Sequence, residues 1–355
     1  HSLLPFRPMP RKSPPPDDAR KAARRAGLRY VSDDRVAGIT RHGRPGRFTY
    51  RTPSGHVLRD TRTLKRIVRL AIPPAWTDVW IAPFAQAHLC ATGHDARGRK
   101  QYRYHPDFAA VRDGDKYARL LEFARCLPRL RRRVAADLRR PGLPREKVIA
   151  VVITLLEQTL IRIGNEDYAR NNDSFGLTTL RNRHVKVKGG ELRFTFRGKS
   201  GKDWQLALQD RRVARVVRGC QELPGQHLFG YRDEAGKVQA VSSSDVNAYL
   251  HAVCGGDVSA KDFRTWAGTV EAALAFHALK DKTPSKRNVR AVIAEVAARL
   301  GNTVAVCRKC YVHPAVVEAF LQGTLVLRAT GRQRRTGLSP AERSVLALLR
   351  KVPGL

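Results

Sequence analysis

The hydrophobic pattern of this chain of 355 residues changes near Phe108. Before that point apolar and polar residues alternate in short runs bounded by Gly, Pro or Asp, namely residues 47–52, 55–60, 79–83, 88–95 and 100–105. Alternation with a period of two predicts strands with one buried face. Beyond Phe108 apolar residues recur at helical spacing, as between Tyr117 and Ala124. We therefore expect an α+β protein, with a small β-rich N-terminal domain and a larger, mainly α-helical domain.

The chain is longer than a typical single domain, which is consistent with this division. We expect a β-rich domain over residues 28–108 and a mainly helical domain over residues 109–355. Residues 1–27 are Pro-rich and basic without an apolar core, so they predict a flexible arm rather than a secretory signal. The most apolar run, residues 148–161, is interrupted by Glu157 and Gln158 and predicts a buried helix, not a membrane span. We expect a cytoplasmic protein, associated with the nucleoid if the source is bacterial.

A return to period-two alternation inside the second domain predicts a three-stranded β meander. Val185 to Lys188 and Leu192 to Arg197 alternate around the turn Gly189-Gly190, and a third run follows residue 202. Lys199 then lies at the exposed tip of the second hairpin. The residues Gly198-Lys199-Ser200 match the end of a phosphate-binding loop, but Arg193 occupies the position of an essential Gly and a strand follows. An ordinary basic turn is the simpler interpretation.

Two helices near the C-terminus have clear end signals. An apolar stripe from Val289 to Leu300 ends at Gly301, a favourable residue for a helix C-terminus. A capping box of Ser339 and Glu342, with Pro340 at the first helical position, begins a later helix.

The charge of the chain indicates its partner. Lys and Arg number 67 against 31 Asp and Glu, which gives a net charge of +36 and an isoelectric point near 11.1. A hydrophobic content of 42% excludes a disordered polycation. An excess this large favours nucleic acid as the partner, and an anionic membrane surface is the weaker alternative.

The segment "CRKCYVHP" first suggests half of a zinc site, through Cys307, Cys310 and His313. Structural zinc requires four ligands, and the sequence has no second paired motif; His88 and Cys90 could complete the set only if the fold brought them there. We expect the six cysteines, at positions 90, 126, 220, 254, 307 and 310, to be small buried apolar groups rather than a disulfide framework.

Two arginines stand in apolar surroundings. Arg162 follows the apolar helical run, and Arg264 lies between Phe263 and Trp266. A buried guanidinium normally needs an anionic partner. Either Asp262 or a distant carboxylate supplies it, or the two arginines face a bound anion.

Four segments, in this order, resemble the small type IB DNA topoisomerases of the poxvirus and bacterial kind: "IRIGNEDYARNNDSFGLTTLRNRHV", "FRGKSGK", "KDFRTWAGTV" and "LGNTVAVCRKCYVHP". The resemblance extends over about residues 28–325. It implies that Tyr311 is the nucleophile, that Arg162 and Arg264 hold the phosphate, and that Lys199 is the general acid. It implies that Asn302 is a neutral hydrogen-bond donor to the phosphate. Poxvirus enzymes have histidine at this position, whereas the bacterial enzymes are similar to this chain.

The resemblance also implies the reaction and the partner. The enzyme would relax supercoiled double-stranded DNA through a 3′-phosphotyrosyl intermediate, as a monomer that closes its two domains around the duplex like a clamp. It would need no cofactor, neither ATP nor a metal ion. Further DNA contacts are expected from a basic and aromatic set: Lys100, Gln101, Tyr102, Tyr104, Lys202, Lys261 and Arg308. For the strand at residues 100–105, an ordinary amphipathic strand is the alternative.

Two other functions remain open at this point. A tyrosine recombinase resembles this catalytic domain, but such enzymes usually carry histidine three residues before the second arginine, where this chain has Lys261, and usually bring a helical N-terminal domain. A non-catalytic DNA-packing protein would explain the charge, but not the ordered set of cations around Tyr311.

Overall fold

The computed structural model describes residues 17–96, 98–256, 258–279, 283–327 and 337–351. The chain forms two compact units, His1–Lys116 and Tyr117–Leu355. The part of the predicted arm that precedes residue 17 lies outside these ranges. Within them, none of the helices has both the length and the apolar content to cross a membrane.

The first unit is built on one antiparallel sheet of five strands in the order β2-β1-β3-β4-β5. Its elements are α1 (Asp17–Arg25), β1 (Ile39–Arg44), β2 (Arg47–Arg51), α2 (Thr61–Arg69), β3 (Thr77–Ile81), β4 (Leu89–His94) and β5 (Lys100–Tyr104). Alternate residues of β3 enter different clusters, since Val79 and Ile81 pack with Ile67 whereas Trp80 packs with Leu89. The sheet is therefore covered on both faces.

Four of the five predicted strands of this unit are confirmed, as β2, β3, β4 and β5. The prediction for residues 55–60 was wrong: Val57 makes only an isolated bridge to Arg51, and Asp60 caps α2 by accepting a hydrogen bond from the Thr63 amide at 2.7 Å. Strand β1 was missed because its residues, "ITRHGR", are mostly polar and exposed. Such a strand carries almost no hydrophobic signal.

The described end of the predicted arm is folded. Residues 17–25 form α1, and its Ala22 and Ala23 are buried together with Leu28 and Phe108. Ala22 and Ala23 are small, and the rest of α1 is mostly charged. Such a segment has a weak hydrophobic pattern, so its sequence did not predict a helix.

A long helix, α3 (Pro106–Asp137), crosses the boundary between the units, and the rest of the second unit is mainly helical. Its elements are α4 (Arg145–Thr159), α5 (Glu166–Asn172), β6 (Val185–Lys188), β7 (Glu191–Arg197), β8 (Asp203–Gln209), α6 (Arg211–Gln221), β9 (Gly230–Arg232), β10 (Val238–Ala240), α7 (Ser243–Cys254), α8 (Ala260–Ala278), α9 (Lys286–Leu300), α10 (Val304–Cys310), α11 (Pro314–Leu321) and α12 (Pro340–Leu349). Strands β6, β7 and β8 form an antiparallel sheet in sequence order.

Helix α4 is the centre of the second unit. Its residues from Val148 to Ile153 are all buried, and the helix contacts α6, α7 and α8, so the predicted buried helix is confirmed. It ends at Leu160, which has a left-handed conformation with φ of 56°. This reversal leads the chain directly into the segment that carries Arg162.

The prediction that the cysteines are only apolar packing groups was wrong for two of them. Cys126 on α3 and Cys254 at the end of α7 form a disulfide. Cys90, Cys220 and Cys307 are buried free thiols, and Cys310 is half-buried. The pairing joins residues 128 positions apart, a distance over which sequence spacing carries no information on contact.

The side chain of Arg131 on α3 anchors α12 to the rest of the unit. Its Nη2 atom lies 2.7 Å from Oε1 of Glu342 and 2.6 Å from Oε1 of Glu157. Glu342 is 8% exposed and also accepts hydrogen bonds from the Trp266 indole and the Ser339 amide. Burial alone would raise the pKa of Glu342, but the hydrogen bonds and charge of Arg131 outweigh burial and lower it.

We expect reduction of the Cys126–Cys254 bond to lower the free energy of unfolding of the second unit by about 2–5 kcal/mol, because the bond restricts the unfolded chain. Urea unfolding with and without dithiothreitol measures the difference. The double variant Cys126→Ser/Cys254→Ser is the control and should unfold like the reduced protein in both buffers. An unchanged midpoint for the wild-type protein on reduction would contradict the expectation.

Acidification should weaken the attachment of α12. The pKa of Glu342 in the folded protein lies below its unfolded value near 4.5. Its contribution to the free energy of unfolding is therefore complete above the unfolded pKa and is lost as the pH falls through the folded pKa. Glu342→Gln should lower the free energy of unfolding at pH 7 by about 1.5–3 kcal/mol and flatten its decline between pH 5 and about pH 3. Thermal unfolding over this range measures both effects, and parallel pH profiles for variant and wild type would refute them.

Candidate active site

A cavity of ≈ 400 Å³ in the second unit brings together residues from four separate segments. Its lining consists of Arg162, Ile163, Gly164, Asn165, Ser174, Phe175, Lys199, Ala260, Lys261, Arg264 and Tyr311. Four of the five predicted catalytic residues are in this set, and the fifth, Asn302, contacts one of them. No acidic side chain is among these described lining residues. The cavity is therefore suited to an anionic group.

Arg162 is half-buried and is held by a close approach of two glycines. A Cβ atom at Gly176 would lie 2.5 Å from the Arg162 carbonyl oxygen and 2.5 Å from the Cα of Gly164, which itself has φ of +101°. The Leu177 amide donates to the same carbonyl at 2.9 Å. The Arg162 guanidinium donates to the side-chain oxygen of Asn302.

Arg264 lies in the first half of α8 and is only 2% exposed. Its guanidinium donates to the carbonyl oxygens of Leu160, at the end of α4, and of Leu300, at the end of α9, the latter at 2.6 Å. The alternative in which Asp262 is the anionic partner of Arg264 was wrong, because that carboxylate caps α8 by accepting from Ser259. The Nε atom of Arg264 is buried with no hydrogen-bond partner among the described residues.

The electrostatics of Arg264 are unusual for an arginine. Burial, and then the positive charge of Arg162, lower the pKa of Arg264 to about 10. At neutral pH the side chain is still a cation, held in a low-dielectric site by neutral carbonyl groups. Burying a charge in this way is costly, and a bound anion would recover much of that cost.

Tyr311 follows the last residue of α10 and is half-buried. Its ring centroid lies 5.1 Å from the guanidinium carbon of Arg264. Its amide donates to the carbonyl of Cys307 at 2.9 Å, and its carbonyl faces Gly268 of α8, where a Cβ would approach the oxygen to 2.7 Å. Because α11 begins at Pro314, Tyr311 is held in a short connection between two helices.

Lys199 is exposed at the tip between β7 and β8, where residues 199–201 form one turn of 3-10 helix. The Gly198 amide donates to the Lys202 carbonyl at 2.7 Å and closes this turn. Ser174 donates to the Gly198 carbonyl at 3.3 Å, so the tip is attached to another part of the cavity wall.

Asn302 follows Gly301, the left-handed residue that ends α9. Its side-chain oxygen accepts from Arg162, which leaves its Nδ2 amide group buried without a partner among the described residues. An unsatisfied buried donor beside the Arg162 guanidinium is available to bind an acceptor atom.

The residues expected to contact DNA take different positions. Lys261 lines the cavity, and Arg308 is exposed on α10. Lys202 is exposed and donates to the Ala298 carbonyl at 3.2 Å. These three cations lie on the same unit as Tyr311.

On β5 in the first unit, the polar heads have intramolecular partners. Lys100 forms an ion pair with Asp33, and the amide of Gln101 donates to Asp95 at 2.9 Å. Tyr102 and Tyr104 are each 48% exposed, and their rings are stacked with centroids 6.0 Å apart.

The cysteines of "CRKCYVHP" do not combine with His313. His313 is buried, its Nδ1 accepts the Ala315 amide at the start of α11, and its ring packs on Tyr117. Within the described part of the chain, no three His, Cys, Asp or Glu side chains converge as metal ligands would.

Sequence reasoning missed several parts of this site. Asn165, Ser174 and Phe175 line the cavity but were not singled out, although all three lie within the first of the four segments. Phe175 also joins this wall to β7, since its amide donates to the Arg197 carbonyl at 2.8 Å. Gly268 had no signal beyond being a small residue one helical turn after Arg264.

Comparison with known proteins identifies relatives of both units. Residues 105–331 match the family model described as eukaryotic DNA topoisomerase I, catalytic core, and residues 47–95 match bacterial DNA topoisomerase IB, N-terminal domain. The chain is 30% identical over 305 residues to DNA topoisomerase 1B of Acanthamoeba polyphaga mimivirus, covering 82% of this chain and 90% of that protein. It is 20% identical over 272 residues to DNA topoisomerase I of Monkeypox virus and to DNA topoisomerase 1B of Vaccinia virus (strain Copenhagen), covering 73% of this chain and 82% of each relative.

The close contact at Gly268 gives a stability test. An alanine normally stabilises a helix relative to glycine by about 1 kcal/mol. At Gly268 the added methyl group would meet the backbone of Tyr311, so Gly268→Ala should instead destabilise the protein by about 1–3 kcal/mol. Chemical denaturation measures the change.

The matched control for this test is Gly114 in α3, where an added Cβ meets no atom within 4 Å. Gly114→Ala should be neutral or stabilising. If Gly268→Ala and Gly114→Ala raised the free energy of unfolding by the same amount, the contact between Gly268 and Tyr311 would not limit the size of the side chain there.

Proposed function

The chain belongs to the type IB DNA topoisomerase family, and from this we propose that it relaxes supercoiled duplex DNA by cutting and rejoining one strand through a 3′-phosphotyrosyl intermediate. The observation that carries this proposal is the cavity that Tyr311 lines together with two arginines and two lysines, with no carboxylate among the described lining residues. A phosphodiester is the anionic group in DNA that such a cavity can bind.

In the proposed reaction the phenol of Tyr311 releases its proton to solvent water, and its oxygen attacks the scissile phosphorus in line with the bond to the 5′ oxygen. A Tyr–O–P bond forms as the P–O5′ bond breaks, and the DNA 3′ phosphate becomes attached to Tyr311. The 5′ hydroxyl later attacks this phosphotyrosyl ester and reverses the exchange. One ester bond replaces another at each step, so the energy for rejoining is conserved and ATP is not consumed.

Negative charge grows on the non-bridging phosphate oxygens as Tyr311 attacks. We assign their stabilisation to Arg162 and Arg264, whose guanidiniums can each donate two hydrogen bonds, and to the unsatisfied Nδ2 group of Asn302. The Arg162–Asn302 contact supports this assignment, because it orients the amide with its nitrogen away from the guanidinium. The guanidinium of Arg264 near the ring of Tyr311 would also favour the charge on the attacking oxygen.

Lys199 is assigned as the general acid. The departing 5′ oxygen needs a proton, and an ammonium group at the hairpin tip can supply it from the wall of the cavity. The exposure of Lys199 supports this role, since its side chain can reach a duplex bound at the cavity.

Duplex DNA would be bound by both units, which we propose close around it as a clamp. The exposed rings of Tyr102 and Tyr104 would pack on sugars or bases, and Lys100 and Gln101 would contact the duplex from the same strand. Lys202, Lys261 and Arg308 would hold the backbone near the cleaved bond. We propose that the enzyme acts as a monomer in the cytoplasm, on the nucleoid of a bacterial cell, and needs no cofactor, neither a nucleotide nor a metal ion.

The nearest alternative is a tyrosine recombinase. Two features favour relaxation over recombination: Lys261 replaces the histidine usual in recombinases, and the first unit is built on a five-stranded sheet. Exchange of strands between two specific duplexes would support the recombinase, whereas a stepwise change in linking number of one plasmid supports the topoisomerase.

Tyr311→Phe should bind DNA with unchanged affinity but lose relaxation of supercoiled plasmid by at least about 10⁴-fold, because the variant keeps the ring above Arg264 and lacks the nucleophilic oxygen. Gel electrophoresis of plasmid incubated with EDTA and without ATP measures relaxation. Denaturation with detergent traps the covalent complex, which should carry the DNA 3′ end in the wild-type protein only.

Tyr231→Phe, on β9 and outside the cavity lining, is the matched control and should relax plasmid at the wild-type rate. Relaxation by Tyr311→Phe would disprove the proposed mechanism. If the wild-type protein binds plasmid but leaves its linking number unchanged after removal of the protein, a DNA-packing function is supported instead.

A further inference from the structure

The indole of Trp204 occupies an unusual position between two glycines. Trp204 lies on β8 opposite Phe196 of β7, and the two rings are stacked. A Cβ atom at Gly198 would lie 2.6 Å from the Trp204 Nε1 atom, and a Cβ at Gly301 would lie 2.9 Å from its Cζ2 atom. Real Cβ atoms do not approach other atoms so closely, so the indole fits only because both residues are glycines.

Each of these glycines directly precedes a residue of the candidate site. Gly198 precedes Lys199 at the hairpin tip, and Gly301 precedes Asn302 at the end of α9. One rigid ring therefore fills the space between the backbone that carries the lysine and the backbone that carries the asparagine. The mechanism above gives Trp204 no part in the chemistry.

Lys202 strengthens the same connection. Its Nζ donates to the Ala298 carbonyl in the last turn of α9 at 3.2 Å and lies 5.8 Å from the centroid of a Trp204 ring. The contacts of Trp204 and Lys202 thus attach the β7–β8 hairpin to the C-terminal end of α9. Lys199 lies at the tip of this hairpin, so its distance from the phosphate depends in part on this attachment.

We propose that Trp204 is a positioning residue that fixes the general acid Lys199 relative to Asn302 and the phosphate-binding arginines. This inference rests on the proposed function, in which Lys199 protonates the leaving 5′ oxygen. Proton transfer requires the donor within about 2.6–3.2 Å of its acceptor, and a displacement of about 1 Å can reduce a rate about 10²-fold. Loss of the indole would therefore slow the protonation step while leaving the phosphate clamp in place.

The test compares two leaving groups in single-turnover cleavage of a short duplex. One substrate has the natural 5′ oxygen at the cleaved bond, and the other has sulfur in its place. A thiol has a pKa of about 8.5, so a thiolate departs without a proton, whereas an alkoxide, whose conjugate acid is far weaker than a thiol, needs one. A defect confined to proton donation disappears with the sulfur substrate.

We expect Trp204→Leu to cleave the oxygen substrate about 10–100-fold more slowly than wild type and the sulfur substrate within about 3-fold of it. Trp204→Phe, which restores a flat ring, should recover part of the lost rate. Leu206→Ala removes a partly buried side chain two residues further along β8 and should affect both substrates equally. Arg264→Ala should be slow on both, because it acts on the phosphate.

Lys199→Met separates the two levels of the hypothesis. If the sulfur substrate does not restore cleavage by Lys199→Met, the assignment of Lys199 as general acid fails. If the sulfur substrate does restore cleavage by Lys199→Met, either of two results for Trp204→Leu would overturn the positioning role of Trp204. The first is equal slowing on both substrates, and the second is no slowing on either. Should Trp204→Leu not fold, Gly198→Ala displaces the indole from the other side and must show the same dependence on the leaving group.

Discussion

The burial of the Arg264 guanidinium is the constraint around which the second unit is arranged. Its two carbonyl partners come from residues that end helices, Leu160 after α4 and Leu300 of α9, so three helices must meet at one side chain. Neutral carbonyls only partly offset the loss of water around a cation. A phosphate group bound there, as we propose, would complete the site and couple the binding of DNA to the geometry of the proposed cleavage.

Close backbone approach, made possible by glycine, links that cation to the other reacting groups. Gly176 lets a second chain segment pass against Arg162, Gly268 lets Tyr311 pack on α8, and Gly301 turns the chain into Asn302. At each point an added methyl carbon would lie closer than 3.0 Å to a neighbouring heavy atom, so the neighbour would have to move. The site is thus defined by backbone contacts, and its side chains inherit their precision from them.

The parts of this structure that could be predicted are those coded by local patterns. Alternation predicted β5, the apolar stripe ending at Gly301 predicted α9, and the capping box of Ser339 and Glu342 predicted the start of α12. The identity of four residues lining the cavity followed from the family resemblance, because the order of motifs carries that information. Contacts between distant positions could not be predicted: the Cys126–Cys254 bond and the insertion of Trp204 depend on how elements pack, and neither leaves a periodic signal.

The ion pair of Lys100 with Asp33 and the hydrogen bond of Gln101 with Asp95 have a consequence for how β5 meets a polyanion. A phosphate that reaches Lys100 must displace a carboxylate, and the released carboxylate then repels the same phosphate. If β5 contacts DNA as we propose, the two aspartates would compete with it and lower the gain from charge neutralisation at this strand. Among the described residues no carboxylate is paired with the stacked rings of Tyr102 and Tyr104, so in the proposed complex contacts of shape and stacking would gain weight there over contacts of charge.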